Sequence, residues 1–180
     1  SVGRGNLSFS TINIVRLAIE CMNISDKETR INKFFAKLDN MLDVAARQLN
    51  ERYEFQKTAM AKQFPLLMRS LWTGAESLSP NETIEKVINQ GTLSIGFIGL
   101  AECLKALVGA HHGESDEAQQ LGLRIVDYMR CRCNEYSETY HHNFSLLATP
   151  AEGLSGKFTK TDRKKFGVLE GITDRDYYTN

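Results

Sequence analysis

A chain of 180 residues fits one ordinary domain and is too short for two with separate cores. Lys plus Arg number 22 and Asp plus Glu 22, so the net charge is zero and no global field draws in nucleic acid or an anionic membrane surface. At 42% hydrophobic and 24% charged the composition argues against disorder, and no apolar stretch approaches the roughly 20 residues of a membrane span, so a soluble, cytoplasmic protein is expected.

Leu7 to Ile14 alternates apolar and polar residues after a Gly-x-Gly turn, which predicts a half-buried strand with Asn6, Ser8, Ser10 and Asn13 offering polar groups on one side. The apolar run Val15 to Met22 fixes no element type. Ser25-Asp26-Lys27-Glu28 spells a capping box, in which Ser hydroxyl and Glu carboxylate satisfy each other's free backbone N–H groups, and a long helix is predicted from there. Ile31, Phe35, Leu38, Leu42, Ala45, Leu49 and Tyr53 form its apolar stripe, a core face or a subunit contact, and Phe64-Pro65 is predicted to end it. A second box, Ser79-Pro80-Asn81-Glu82, predicts a short helix that stops at Gly91.

Thr92 to Leu100 is predicted as a buried strand with two glycines, running into a helix from Ala101 that Gly109 closes. Glu114-Ser115-Asp116-Glu117 brings negative charge to the next helix start, where it meets a partial positive charge. That helix carries Leu121, Ile125, Tyr128 and Met129 on its apolar face and is predicted to run to about Thr139. Asn143 to Ala148 is a third strand, and Thr149-Pro150-Ala151-Glu152 is a third capping box. Alternating strands and helices predict an α/β architecture with a mainly parallel or mixed sheet.

Chemistry concentrates at the Thr149 turn. A strand gives way to a helix there, and the free N–H groups of Ala151, Glu152 and Gly153 at the helix start make an anion site suited to phosphate. Gly153 and Gly156 let a ligand approach the backbone, and Lys157, Lys160, Arg163, Lys164 and Lys165 follow with only Asp162 opposing them. The plainer alternative is a capped helix followed by a solvated basic loop.

Gly96-Phe97-Ile98-Gly99 lacks the full G-x-G-x-x-G of a dinucleotide site, and glycines in a strand more often mark close approach of another backbone. Glu102, at the strand-to-helix junction, either faces a pocket or stabilises the helix start. Cys21 and Cys103 read as buried reduced thiols. Cys131 and Cys133, two apart on a helix, point in different directions and cannot share a tetrahedral zinc without distortion, so inert thiols are expected, with a metal or redox pair as the alternative. The adjacent pairs His111-His112 and His141-His142 lack the spacing of a helical metal site, so no metal ligand is assigned.

These segments resemble, in order and over essentially the whole chain, part of the anaerobic, class III ribonucleoside-triphosphate reductases. The matching pieces are Gly3-Arg4-Gly5-Asn6-Leu7-Ser8-Phe9 with Thr11-Ile12-Asn13, then Gly96 to Glu102, then the long and specific Asn143-Phe144-Ser145-Leu146-Leu147-Ala148-Thr149-Pro150-Ala151-Glu152-Gly153. The resemblance implies a segment of a ten-stranded α/β barrel of the glycyl-radical type, in an enzyme that makes deoxynucleotides for DNA synthesis. It also implies a glycyl radical installed by an iron-sulfur activase with S-adenosylmethionine, a zinc module and ATP or dNTP effectors. Radical cysteine, radical glycine, zinc module and effector region are expected outside these 180 residues, so no catalytic residue and no cofactor is assigned to this chain.

What the resemblance leaves here is substrate-facing barrel wall. Asn6 and Asn13 are candidates to hydrogen-bond substrate, the turn of Thr149, Ala151, Glu152 and Gly153 to hold phosphate, and Glu102 and Ser145 to line a pocket. Implied partners are a ribonucleoside triphosphate, the radical activase and a second subunit, with neither nucleic acid nor membrane. A glycyl-radical enzyme of the pyruvate formate-lyase type and a non-catalytic nucleotide-binding or dimerisation module are the alternatives.

Overall fold

A computed structural model describes residues 6–70, 91–149 and 152–180. The Gly3-Arg4-Gly5 motif, the second capping box with its helix, Pro150 and Ala151 lie outside the described residues. In chain order the elements are β1 (Asn6–Asn13), α1 (Ile14–Ile19), α2 (Lys27–Ser70), β2 (Thr92–Ile98), α3 (Leu100–Val108), α4 (Asp116–Tyr140), β3 (Asn143–Ala148) and α5 (Glu152–Phe166). The strands form a sheet of order β1-β2-β3, parallel throughout, as the strand and helix alternation predicts.

Strand alternation gives this sheet two unlike faces. One register row set brings Ile12, Leu93, Ile95, Phe97 and Phe144 to the same side, and all are buried in the hydrophobic core. They join Phe34, Leu38, Leu42 and Leu49 of α2, Leu104 and Leu107 of α3 and Ile125 of α4, which are fully buried. The opposite rows carry Phe9, Thr11 and Asn13 of β1, Ser94, Gly96 and Ile98 of β2, and Ser145 and Leu147 of β3. Ser8 and Ser10 instead pair with Leu93 and Ile95 on the core side, so the polar side expected for β1 is split between the two faces. This second face is mostly small or polar.

Several expectations are corrected. Asp26, rather than Ser25, caps α2: its carboxylate accepts from the Thr29 backbone N–H at 2.9 Å and from the Thr29 hydroxyl, and these bonds hold its pKa below the usual carboxylate value. The helix does not stop at Pro65 but runs on to Ser70. A proline removes one ladder bond, and the remaining bonds of a 44-residue helix carry the backbone through. The α2 stripe is core, with Phe34 inside and Ile31 and Phe35 half-buried on its flank, so Leu42 is not available to a second subunit. The untyped run after β1 is the short helix α1, whose N-cap is Asn13.

The second strand ends two residues early. Gly99 adopts a left-handed conformation, with φ of 89°, and turns the chain into α3. A Cβ at this position would stand 2.2 Å from Val15 Cγ2, so glycine meets both a backbone and a packing demand.

Candidate functional site

Parallel strands deliver their loops to one end of the sheet, and α/β proteins collect ligands there. Asn13, Gly99 and Thr149 are the three strand exits. Thr149 donates its backbone N–H to Phe97 O at 3.1 Å, which extends β3 by one residue along β2. Its side chain is buried, and its hydroxyl lies 3.3 Å from the Thr11 hydroxyl on β1. The two threonines meet above Gly96, where an added Cβ would come within 2.1 Å of Thr149 Oγ1. Gly96 therefore permits the close approach of a side chain rather than of another backbone.

Beyond Thr149, α5 begins at Glu152. Gly153 is exposed, and a Cβ built on it meets nothing within 4 Å. Inward, Ser155 Oγ donates to Tyr178 O at 2.8 Å and Thr159 Oγ1 donates to Ser155 O at 2.9 Å. A cleft of about 260 Å³, lined by Ser155 and Tyr177 to Asn180, opens beside this first turn. Arg163, Lys164 and Lys165 occupy the last turn of α5. At about 1.5 Å per residue they stand roughly 16 Å from the helix start, where they complement the negative helix end rather than a bound anion.

One buried carboxylate organises the β1 exit. Asp162 of α5 is fully buried and accepts from Asn13 Nδ2 at 2.7 Å, Arg16 Nε at 2.8 Å and the Tyr178 hydroxyl at 2.8 Å. Burial and the bond to Asp162 push the Tyr178 pKa up, so this phenol stays protonated and donating. Asn13 has both amide ends engaged, because its Oδ1 also accepts from the Arg16 backbone N–H at 3.3 Å.

A second buried carboxylate organises the β2 exit. Glu102 accepts from Arg175 Nη1 at 2.9 Å, from the Thr179 hydroxyl at 2.8 Å and from the Thr179 backbone N–H at 3.1 Å. Gly99 N–H donates to Thr179 O at 2.8 Å, so residues 175–179 are strapped across the strand ends. In this arrangement Glu102 holds the strap.

The sequence-derived candidates divide in space. Asn13 and Thr149 share the carboxyl end of the sheet, with Gly153 on the helix that follows. Asn6 pairs in register with Thr92 at the other end of β1, roughly 23 Å away at about 3.3 Å per strand residue. Ser145 lies midway along β3, its hydroxyl 3.1 Å from that of Ser94. Glu152 starts the helix, and Ala151 lies outside the described residues. Asp162, Arg16, Tyr178, Arg175 and Thr179 escape a sequence reading because their partners are distant in the chain.

Cys21, Cys103 and Cys133 are buried thiols with pKa values raised by burial, and Cys131 is exposed on the other side of α4. Among the described residues no three His, Cys, Asp or Glu converge as a metal site. His111 bonds Glu114 at 2.8 Å, and His142 stacks on Tyr53 with ring centroids 3.7 Å apart. No helix among the described residues is long and apolar enough to cross a membrane.

Comparison with known proteins gives one consistent answer. A family profile described as anaerobic ribonucleoside-triphosphate reductase matches residues 1–180. The anaerobic ribonucleoside-triphosphate reductase of Haemophilus influenzae is 33% identical over 181 residues, covering 99% of this chain and 24% of its own length. That of Escherichia coli is 31% identical with the same coverage. The chain thus spans about a quarter of the length of these curated relatives. Its fold is similar to the crystal structure of the anaerobic ribonucleotide reductase from Thermotoga maritima in complex with dATP and CTP, at a TM-score of 0.60 and 19% identity over 99% of this chain and 27% of that one.

Proposed function

The chain belongs to the anaerobic ribonucleoside-triphosphate reductase family, and on that premise we propose that it forms substrate-facing wall in an enzyme that reduces ribonucleoside triphosphates to deoxyribonucleotides for DNA synthesis. The observation that carries this reading is the junction of β3 and α5, where Thr149 is pinned over Gly96 and the helix start follows at once. A helix start offers unpaired N–H groups and a partial positive charge, and Gly153 leaves room for phosphate to reach them. Nucleotide is the ligand class carried by the Thermotoga maritima reductase, with dATP and CTP bound.

The parallel sheet is read as part of a ten-stranded barrel, with residues 1–180 one segment of the catalytic domain. Glycyl-radical loop, zinc module and effector region for ATP or dNTP belong elsewhere in the whole enzyme. Zinc finds no converging set of three ligands among the described residues, and none is assigned to it here. The radical, installed by an iron-sulfur activase with S-adenosylmethionine, supplies the hydrogen-abstracting chemistry of the whole enzyme. This chain's residues bind and orient: the Thr149 to Gly153 turn holds phosphate, Asn13 offers its amide at the same end of the sheet, and Ser145 belongs to the surrounding wall. Asn6, at the far end of β1, is not assigned to that same substrate, and Glu102 holds the strap of residues 175–179. The whole enzyme is proposed to be a cytoplasmic homodimer.

The test is turnover by the full-length protein after anaerobic treatment with the activase. Conversion of a ribonucleoside triphosphate to its deoxy form is expected. Consumption of pyruvate and coenzyme A without nucleotide turnover would instead assign it to the pyruvate formate-lyase type.

A further inference from the structure

We infer that Asp162 is a positioning residue that locks the side-chain amide of Asn13 in one orientation for the substrate. This rests on the reading of Asn13 as substrate-facing. An ionised carboxylate only accepts hydrogen bonds, so the group that Asn13 turns toward Asp162 must be its NH2, at 2.7 Å. The amide oxygen is held from the other side by the Arg16 backbone N–H at 3.3 Å. An asparagine amide otherwise turns broadly about χ2, and these two bonds remove that freedom. One N–H and one carbonyl lone pair remain for an outside partner, each with a defined direction.

Asp162 is itself over-determined. It is fully buried, Arg16 Nε and the Tyr178 hydroxyl each donate to it at 2.8 Å, and Tyr178 is anchored in turn through Ser155. It also sits on the helix whose start follows Thr149, while Asn13 ends the strand whose Thr11 touches Thr149. The contacts Thr11 to Thr149 and Asn13 to Asp162 therefore tie the β3–α5 segment to β1 at two points. They fix the distance from the amide to the helix start, as a ligand that bridges both requires. Fold stability alone gives little reason for a carboxylate here, since apolar replacement of a buried charge network is often neutral or better.

The experiment uses the full-length enzyme with Asp162→Asn. The variant keeps the shape but has one oxygen where three donors need two, so the Asn13 amide is released. Expected is a fall in kcat for triphosphate reduction of about tenfold or more with KM within about twofold, because the helix start still holds phosphate. The exchanged pair Asn13→Asp with Asp162→Asn restores a bond between the two positions without restoring the amide. It is expected to regain the wild-type melting temperature and to remain slow. Wild-type kcat in Asp162→Asn, or recovery of turnover together with stability in the exchanged pair, would overturn the inference. Asn13→Ala separates the two claims: if it keeps full turnover, the substrate role of Asn13 fails, whereas an inactive Asn13→Ala beside a fully active Asp162→Asn removes only the role of Asp162.

Discussion

Two polar networks join distant parts of this chain, one at the strand ends and one on the outer helices, and water separates their energetics. At the strand ends, Asp162 and Glu102 are completely buried and draw in donors from 16 to 149 positions away. On the outside, Arg132 of α4 pairs with Asp43 of α2 at 2.6 Å and with Glu135, while the Tyr128 hydroxyl donates to Asp39 at 2.6 Å. Burial and Asp39 push the Tyr128 pKa up to about 12, yet Asp43 and Glu135 remain more than half exposed. Water screens and replaces the outer contacts, but it cannot reach the inner carboxylates. The comparison teaches that the same residue types dock helices in one place and fix a site in the other.

The sharpest way to break this contrast is to remove each centre. Asp162→Ala leaves three donors facing an empty, buried site, and is expected to cost about 3 kcal/mol in denaturant unfolding. Arg132→Ala removes a similar number of contacts, but to carboxylates that are more than half exposed, and about 1 kcal/mol or less is expected by the same measurement. Equal losses would mean that burial does not separate the two networks.

A smaller effect sharpens the comparison at the edge of β3. Burial against Tyr53 lowers the His142 pKa from 6.5, so charging this ring is disfavoured in the fold. Stability is then complete above pH 6.5 and is lost as pH falls through the lowered folded value. His142→Phe keeps an aromatic ring against Tyr53 and is expected to flatten the acid-side loss in melts taken from neutral to mildly acidic pH. An unchanged slope would assign that loss to other groups.

Local signals were legible where one element decides its own form. Asn143 to Ala148 is the third strand to the residue, Gly109 closes α3 in a left-handed conformation, and α4 starts at Asp116 with Asp116 and Glu117 in its first turn, where the acidic stretch placed it. α1 was not legible because its six residues are too few to show a period. Asp162 was hidden for a different reason. Ser155, Thr159 and Asp162 recur at four and three residues and are all buried, so the inward stripe of α5 is written in polar side chains. Hydrophobic periodicity passes over such a stripe, whereas a search for small polar residues at helical spacing would have found it. Glu102 was visible at the strand-to-helix junction, but its role was not, because Arg175 and Thr179 are 73 and 77 positions away.

The central claim is that the start of α5 receives the phosphates of a ribonucleoside triphosphate. Gly153 offers the most direct test, since it is exposed and an added Cβ there meets nothing within 4 Å, leaving the fold undisturbed. In the full-length enzyme, Gly153→Glu puts a carboxylate where the anion should sit, and the substrate dissociation constant is expected to rise about tenfold or more, the scale of one charge-assisted hydrogen bond. An unchanged dissociation constant in a normally folded Gly153→Glu enzyme would contradict the account.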